Sequence, residues 1–233
     1  MTDLNHKNND TAIWVNSTKN FRRLVGINGM LLPVLLWALM YFTSGHAEEL
    51  KSISHYYYTR SNSIFIGVMA TLSMFLIVYN YKDEKADFIL STIAGVAAIF
   101  VILFPTDNLI GSPCALENSH VIAYLACDET RVIIHYVAAA IFFVALASMS
   151  AFLFTKSEDG KKKTPQKIIR NGIYISCAVL MVLAILAILL LGKFKLIPDL
   201  KYDELNLTFW FEVIAIESFG FSWLVKGETI FSD

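Results

Sequence analysis

An all-α, polytopic transmembrane bundle of six helices, with both termini cytoplasmic, is the fold class that three features of this sequence predict. Apolar residues make up 56% of the chain against 17% charged, and the mean hydropathy is +0.55. The apolar residues form runs that approach or exceed the roughly 20 residues needed to cross a bilayer core, longer than a soluble domain of this length carries. Lys and Arg concentrate in alternate connections, as the positive-inside rule requires. A net charge of −1 gives no global field for nucleic acid, and no Gly-rich phosphate loop, CxxC or HExxH occurs.

Residues 1–23 are a polar cytoplasmic tail, and the six spans fill a domain over 24–226. The first span covers about 24–42 (LVGINGMLLPVLLWALMYF), with Pro33 expected to kink or loosen it. GHA before Glu48 resembles a signal cleavage site, but the apolar core is too long for a signal segment and a 23-residue polar tail precedes it. The span is therefore expected to be retained.

The second and third spans, about 63–81 and 88–104, are joined by the tight turn KDEKAD and should pair antiparallel. Ser63, Gly67 and Ala70 repeat the spacing of Ser91, Gly95 and Ala98, two small-residue stripes of the kind that lets membrane helices approach. The fourth span, about 132–154, carries Ala138, Ala139 and Ala140. The fifth, about 172–191, is almost uniformly aliphatic and is expected to face lipid. The sixth covers about 205–225, and 227–233 form a second cytoplasmic tail.

Thirteen of the 19 Lys and Arg, including Lys19, Arg22, Arg23 and the Lys-rich loop EDGKKKTPQK, fall on the side of the termini. Six fall on the other side, which is therefore expected to be external. Cys114 and Cys127 share the external third loop, and an oxidising exterior favours a disulfide between them. Such a bridge would contribute roughly 3 kcal/mol by restricting the unfolded chain.

Ionisable residues inside spans are costly and mark partners or function. Three stand out: His135, about 4–5 Å inside the outer end of its span, and Glu212 and Glu217, about 10 and 18 Å inside theirs. Asp107 sits at the outer boundary in FPTD, and Ser54, His55, Tyr56, Tyr57, Tyr58 and Arg60 precede the second span in SISHYYYTR. These polar groups converge on the outer leaflet. Glu212 and Glu217 are five apart, about 140° around a helix, so they do not form an acid/base dyad on one face. A buried Glu217 needs a proton, a hydrogen bond or a cation, and Glu212 is placed to meet His135, Arg60 or Arg131. An aromatic belt accounts for the tyrosines by itself, but not for Ser54, His55 and Arg60 beside them.

SISHYYYT before a span, FPTD after the next, VIIHYVAAAIFF and the closing FEVIAIESFGFSWLVKG together resemble a widespread uncharacterised family of small bacterial inner-membrane proteins. The resemblance covers the chain from about residue 24 and implies a multi-pass inner-membrane location. More distantly, the arrangement is similar to the CREST group of membrane hydrolases, which includes alkaline ceramidases. That similarity implies a Ser, an Asp and three His around zinc, with Ser54, Asp107 and His135 in the matching places. The chain departs from the group in having no HxxxH and in carrying Glu212 and Glu217 in the last span.

Three functions follow as readings. In the first, an outward-facing pocket binds or transports a lipid headgroup or small amphiphile, with ligand-binding residues His55, Tyr56, Tyr57, Arg60, Asp107, His135, Glu212 and Glu217. In the second, a hydrolase of a lipid amide or ester uses His135, Glu212, Asp107 and Ser54, with zinc as cofactor on His55, Asp107, His135 and Glu212. In the third, the chain is an accessory subunit without a ligand. The first asks least of the sequence, because no complete ligand or base set is apparent. Membrane lipid is the expected partner in each.

Overall fold

The computed structural model describes residues 2–79, 85–111, 120–156, 164–196 and 198–230. The first half of the KDEKAD turn, the loop segment with Cys114, and the Lys-rich loop up to residue 163 lie outside the described residues.

Among these residues the protein is all helical. Helix α1 is Thr2–Ser44, α2 Asn62–Val78, α3 Lys85–Leu103, α4 Glu129–Ser148, α5 Pro165–Ala187, α6 Asp199–Glu204 and α7 Leu207–Lys226. A 3₁₀ helix, Ile53–Tyr58, lies between α1 and α2, and π turns extend α4 through Leu153 and α5 through Lys193. Five helices are long and apolar enough to cross a membrane. The second expected span is shorter than anticipated, since α2 is an apolar helix of 17 residues that stops at Val78, where Tyr79 turns extended. Seventeen residues is the lower limit for a span.

The helix boundaries are set by caps that the apolar runs do not reveal. Asp128 Oδ1 accepts the N–H groups of Thr130 (2.9 Å) and Arg131 (3.3 Å), so α4 starts three residues before the expected 132. Thr164 Oγ1 accepts the Lys167 N–H at 3.2 Å and Pro165 occupies the first turn, so α5 starts seven residues before the expected 172. Helix α1 runs on through Pro33.

The six long helices close a ring in the order α1, α2, α3, α4, α5, α7 and back to α1. Two close backbone approaches set it. A methyl at Gly95 would lie 2.8 Å from Ser73 O, and Ser73 Oγ donates to Gly95 O at 2.8 Å. The α3 stripe therefore packs on α2, but against Ser73 and Ile77. The matching stripe expected on α2 does not take part, since Ser63 and Gly67 are exposed and a Cβ at Gly67 would meet nothing within 4 Å. The second approach joins α1 to α7: methyls at Gly26 and Gly220 would each stand 2.8 Å from the other residue's carbonyl oxygen.

One end of the ring is basic. Lys19 pairs with Glu228, Lys156 lies 3.5 Å from Asp87, and Arg23 Nε donates to Gly227 O at 2.9 Å. Trp223 is fully buried there among Phe75, Tyr79, Phe154 and Phe219. Large apolar side chains such as Phe42, Leu103, Phe152 and Leu183 project from the outside of the bundle, as lipid contact requires. The 3₁₀ helix, the turn after α3 and the first turns of α4 and α7 meet at the opposite end.

Candidate functional site

At that end the 3₁₀ helix is built to present its side chains inward. Ser52 caps it, accepting the His55 N–H at 3.3 Å, and the Ile53 N–H donates to Glu212 Oε2 of α7 at 2.6 Å. Thr59 bridges antiparallel to Val121, with the Ile122 N–H donating to Tyr58 O at 2.8 Å. Asn108 clamps Leu125 through both its side-chain groups, at 2.8 and 2.9 Å. The Tyr58 hydroxyl donates to Thr106 O. Burial pushes that phenol up to about 12, so it stays a neutral donor. These contacts hold Thr106 and Asp107 against the 3₁₀ helix.

Between these elements lies a cavity of about 260 Å³. Ser52, Ser54 and His55 line one side, Thr106, Asp107, His135 and Tyr136 another, and Tyr202, Asn206, Thr208 and Glu212 the third. A Lys51–Asp203 ion pair at 3.4 Å stands at its rim.

Two histidines organise the polar contacts. His135 Nδ1 is 2.9 Å from Phe104 O, and its Nε2 is 3.1 Å from Ser54 Oγ. A carbonyl oxygen only accepts, so Nδ1 carries the hydrogen, and in the neutral ring Nε2 accepts the Ser54 hydroxyl. His55 Nδ1 is 2.6 Å from Ser52 Oγ, while its Nε2 faces Asp107 Oδ2 at 3.8 Å. The His55 imidazole is the first cause holding the Asp107 carboxyl well below the usual carboxylate range; burial opposes it and the Thr106 hydroxyl adds to it. Asp107 Oδ1 accepts from Thr106 Oγ1 at 2.9 Å and from the Tyr136 hydroxyl at 3.1 Å.

Of the residues picked from the sequence, the structure brings Ser54, His55, Asp107, His135 and Glu212 to this one cavity. Tyr56, Tyr57, Arg60 and Glu217 do not line it. Tyr56 is fully buried in the core, Arg60 is exposed, and Glu217 lies half-buried on another face of α7. Glu212 meets none of its expected cations; Arg131 instead donates to Ala126 O at 3.0 Å. The sequence reading missed Tyr136, Thr106, Tyr202, Asn206 and Thr208. The first two adjoin chosen residues and were within reach. The other three come from α6, the N-cap of α7 and its first turn, where nothing in the pattern marks them.

The expected Cys114–Cys127 disulfide is corrected. Cys127 carries a free, exposed thiol whose sulfur lies 3.5 Å from the Tyr124 hydroxyl, and Cys114 is outside the described residues. The zinc set does not fit either. Both His135 nitrogens and Glu212 Oε2 are committed to protein partners. Among the described residues no three His, Cys, Asp or Glu side chains gather to hold a metal ion.

A family model described as a protein of unknown function (DUF998) matches residues 29–202. The match includes Ser54, His55, Asp107 and His135 and stops before α7 and its Glu212. No curated protein and no solved structure matches the chain.

Proposed function

The chain belongs to the DUF998 family of proteins of unknown function, and we propose that this multi-span membrane protein binds the uncharged, hydrogen-bonding headgroup of an amphiphile in the cavity at its non-basic end. One observation carries the reading. Polar side chains from five separate elements converge on a single cavity of about 260 Å³ in an otherwise apolar bundle. Polar groups in a membrane protein are costly unless used or paired, and this set is concentrated at one end.

The lining selects the ligand class. Ser54, Thr106, Tyr136, Thr208 and Asn206 offer neutral donors and acceptors, while Asp107 and Glu212 supply carboxyls and the rim lysine is already paired with Asp203. A phosphate would meet those carboxyls without a dedicated cation, whereas a glycerol or similar polyol would satisfy them with its hydroxyls. The basic end is cytoplasmic by the positive-inside rule, so the cavity opens to the outer leaflet of the bacterial inner membrane that the sequence resemblance implies.

The test is thermal unfolding of the detergent-purified protein. Mono-olein should raise the unfolding temperature, since saturation to 100 times Kd stabilises by about 2.7 kcal/mol. An oleoyl lysophosphatidate with the same chain should not. Equal shifts from both would assign the effect to the acyl chain and end the headgroup reading.

A further inference from the structure

We propose that Ser54 and His135 form a nucleophile–base pair that cleaves a carboxylic ester of the amphiphile held in this cavity; the inference rests on the pocket reading above and gives it a reaction. The two residues are 81 apart in sequence, yet Ser54 Oγ lies 3.1 Å from His135 Nε2. The imidazole is held from behind by Phe104 O at 2.9 Å, which fixes the proton on Nδ1 and leaves the Nε2 lone pair facing the serine. A nucleophile within hydrogen-bond reach of a base that a third group orients is the arrangement covalent catalysis requires. His135 is buried and Ser54 is half-buried on the cavity wall, so the base is shielded while the hydroxyl is reachable.

A second pair in the cavity, Ser52 with His55, is less suited. Ser52 is buried and its oxygen is occupied as the cap of the 3₁₀ helix, accepting the His55 N–H. Its partner His55 instead turns Nε2 toward Asp107 at 3.8 Å, which leaves these two groups to orient the glycerol hydroxyls.

The reaction balances with water as co-reactant. Ser54 Oγ attacks the ester carbonyl carbon as its proton passes to His135 Nε2. The bond from the carbonyl carbon to the glycerol oxygen then breaks, and His135 returns the proton to that oxygen, leaving an acyl group on Ser54. Water attacks the acyl carbon, gives a proton to His135, and releases the fatty acid as the proton returns to Ser54.

The test uses the full-length protein in detergent with a fluorophosphonate, which phosphonylates activated serine hydroxyls with loss of fluoride. Trypsin releases SISHYYYTR, and fragmentation on either side of Ile53 separates Ser52 from Ser54. Phosphonylation should map to Ser54 and be slowed by mono-olein. It should be absent in Ser54→Ala and fall about 10²–10⁴-fold in His135→Gln, the usual range for a general base. Wild-type protein that shows the mono-olein shift in unfolding temperature but no phosphonylation at Ser54 would overturn the pair and leave the pocket standing, as would labelling at Ser52 alone. Phosphonylation at Ser54 without any mono-olein shift would keep the pair and remove the headgroup assignment. Should His135→Gln fail to fold, the wild-type mapping decides by itself.

Discussion

Glu212 Oε2 accepts the Ile53 N–H at 2.6 Å, and that bond joins α7 to the start of the 3₁₀ helix that carries Ser54. Replacing the carboxyl with an apolar group orphans a backbone donor at the cavity wall, at a cost of about 1–3 kcal/mol. Glu212→Leu should therefore lower the unfolding temperature, while Glu212→Gln, whose amide oxygen still accepts, should lower it far less. Thermal unfolding of the two variants in one detergent checks this, and equal losses would show that the charge rather than the hydrogen bond is needed. Asp107 gives the pH dependence. Its folded-state carboxyl titrates below the ordinary carboxylate value, first because of His55. Its contribution is thus fully present above the unfolded value of about 3.9 and is lost as pH falls below it. The unfolding temperature of the wild type should drop more steeply than that of Asp107→Asn below about pH 4, near that unfolded value. Parallel acid limbs would show that Asp107 is not stabilised by its neighbours.

At the scale of the helices, small residues decide how closely backbones approach. A methyl at Gly220 would stand 2.8 Å from Gly26 O and 3.0 Å from Met30 N, atoms of α1 backbone that a rotamer change cannot move. Gly220→Ala should therefore push α1 from α7 and cost about 1–3 kcal/mol, the range for overpacking. Gly67→Ala should be neutral or stabilising by up to about 1 kcal/mol, since alanine is the better helix former and its Cβ meets no atom within 4 Å. Comparing the two by thermal unfolding separates packing from propensity. The same pair shows what spacing reveals about packing. The Ser91, Gly95, Ala98 stripe was legible and is used, because all three are buried. Its twin on α2 was equally legible and is not used. Spacing marks a face that can be approached closely, while the facing helix, here through Ser73 and Ile77, decides whether it is.

For the molecule as a whole, the apolar runs disclosed the all-helical membrane class and, among the described residues, five helices long and apolar enough to cross a bilayer, because crossing constrains length and composition together. They did not disclose the 3₁₀ helix, α6 or the early starts of α4 and α5, which depend on caps lying in polar sequence. The site divided along the same line. Ser54, His55, Asp107, His135 and Glu212 were visible as polar residues out of place, whereas Tyr202, Asn206 and Thr208 sit where polarity is ordinary. Which groups pair, Ser54 with His135 rather than Glu212 with His135, depends on ring closure and had no sequence signal. The orientation of that ring rests on charge, and Cys127 makes it measurable. Cys127 is free and exposed on the non-basic side, Cys177 is buried in α5, and Gln166 is exposed at the basic end. In a Cys114→Ser background, a membrane-impermeant maleimide applied to intact spheroplasts should modify Cys127 without prior reduction. With Cys127→Ser added, Gln166→Cys should be modified only after the membrane is permeabilised. The reverse pattern would place the cavity in the cytoplasm, and the amphiphile would then have to be drawn from the inner leaflet.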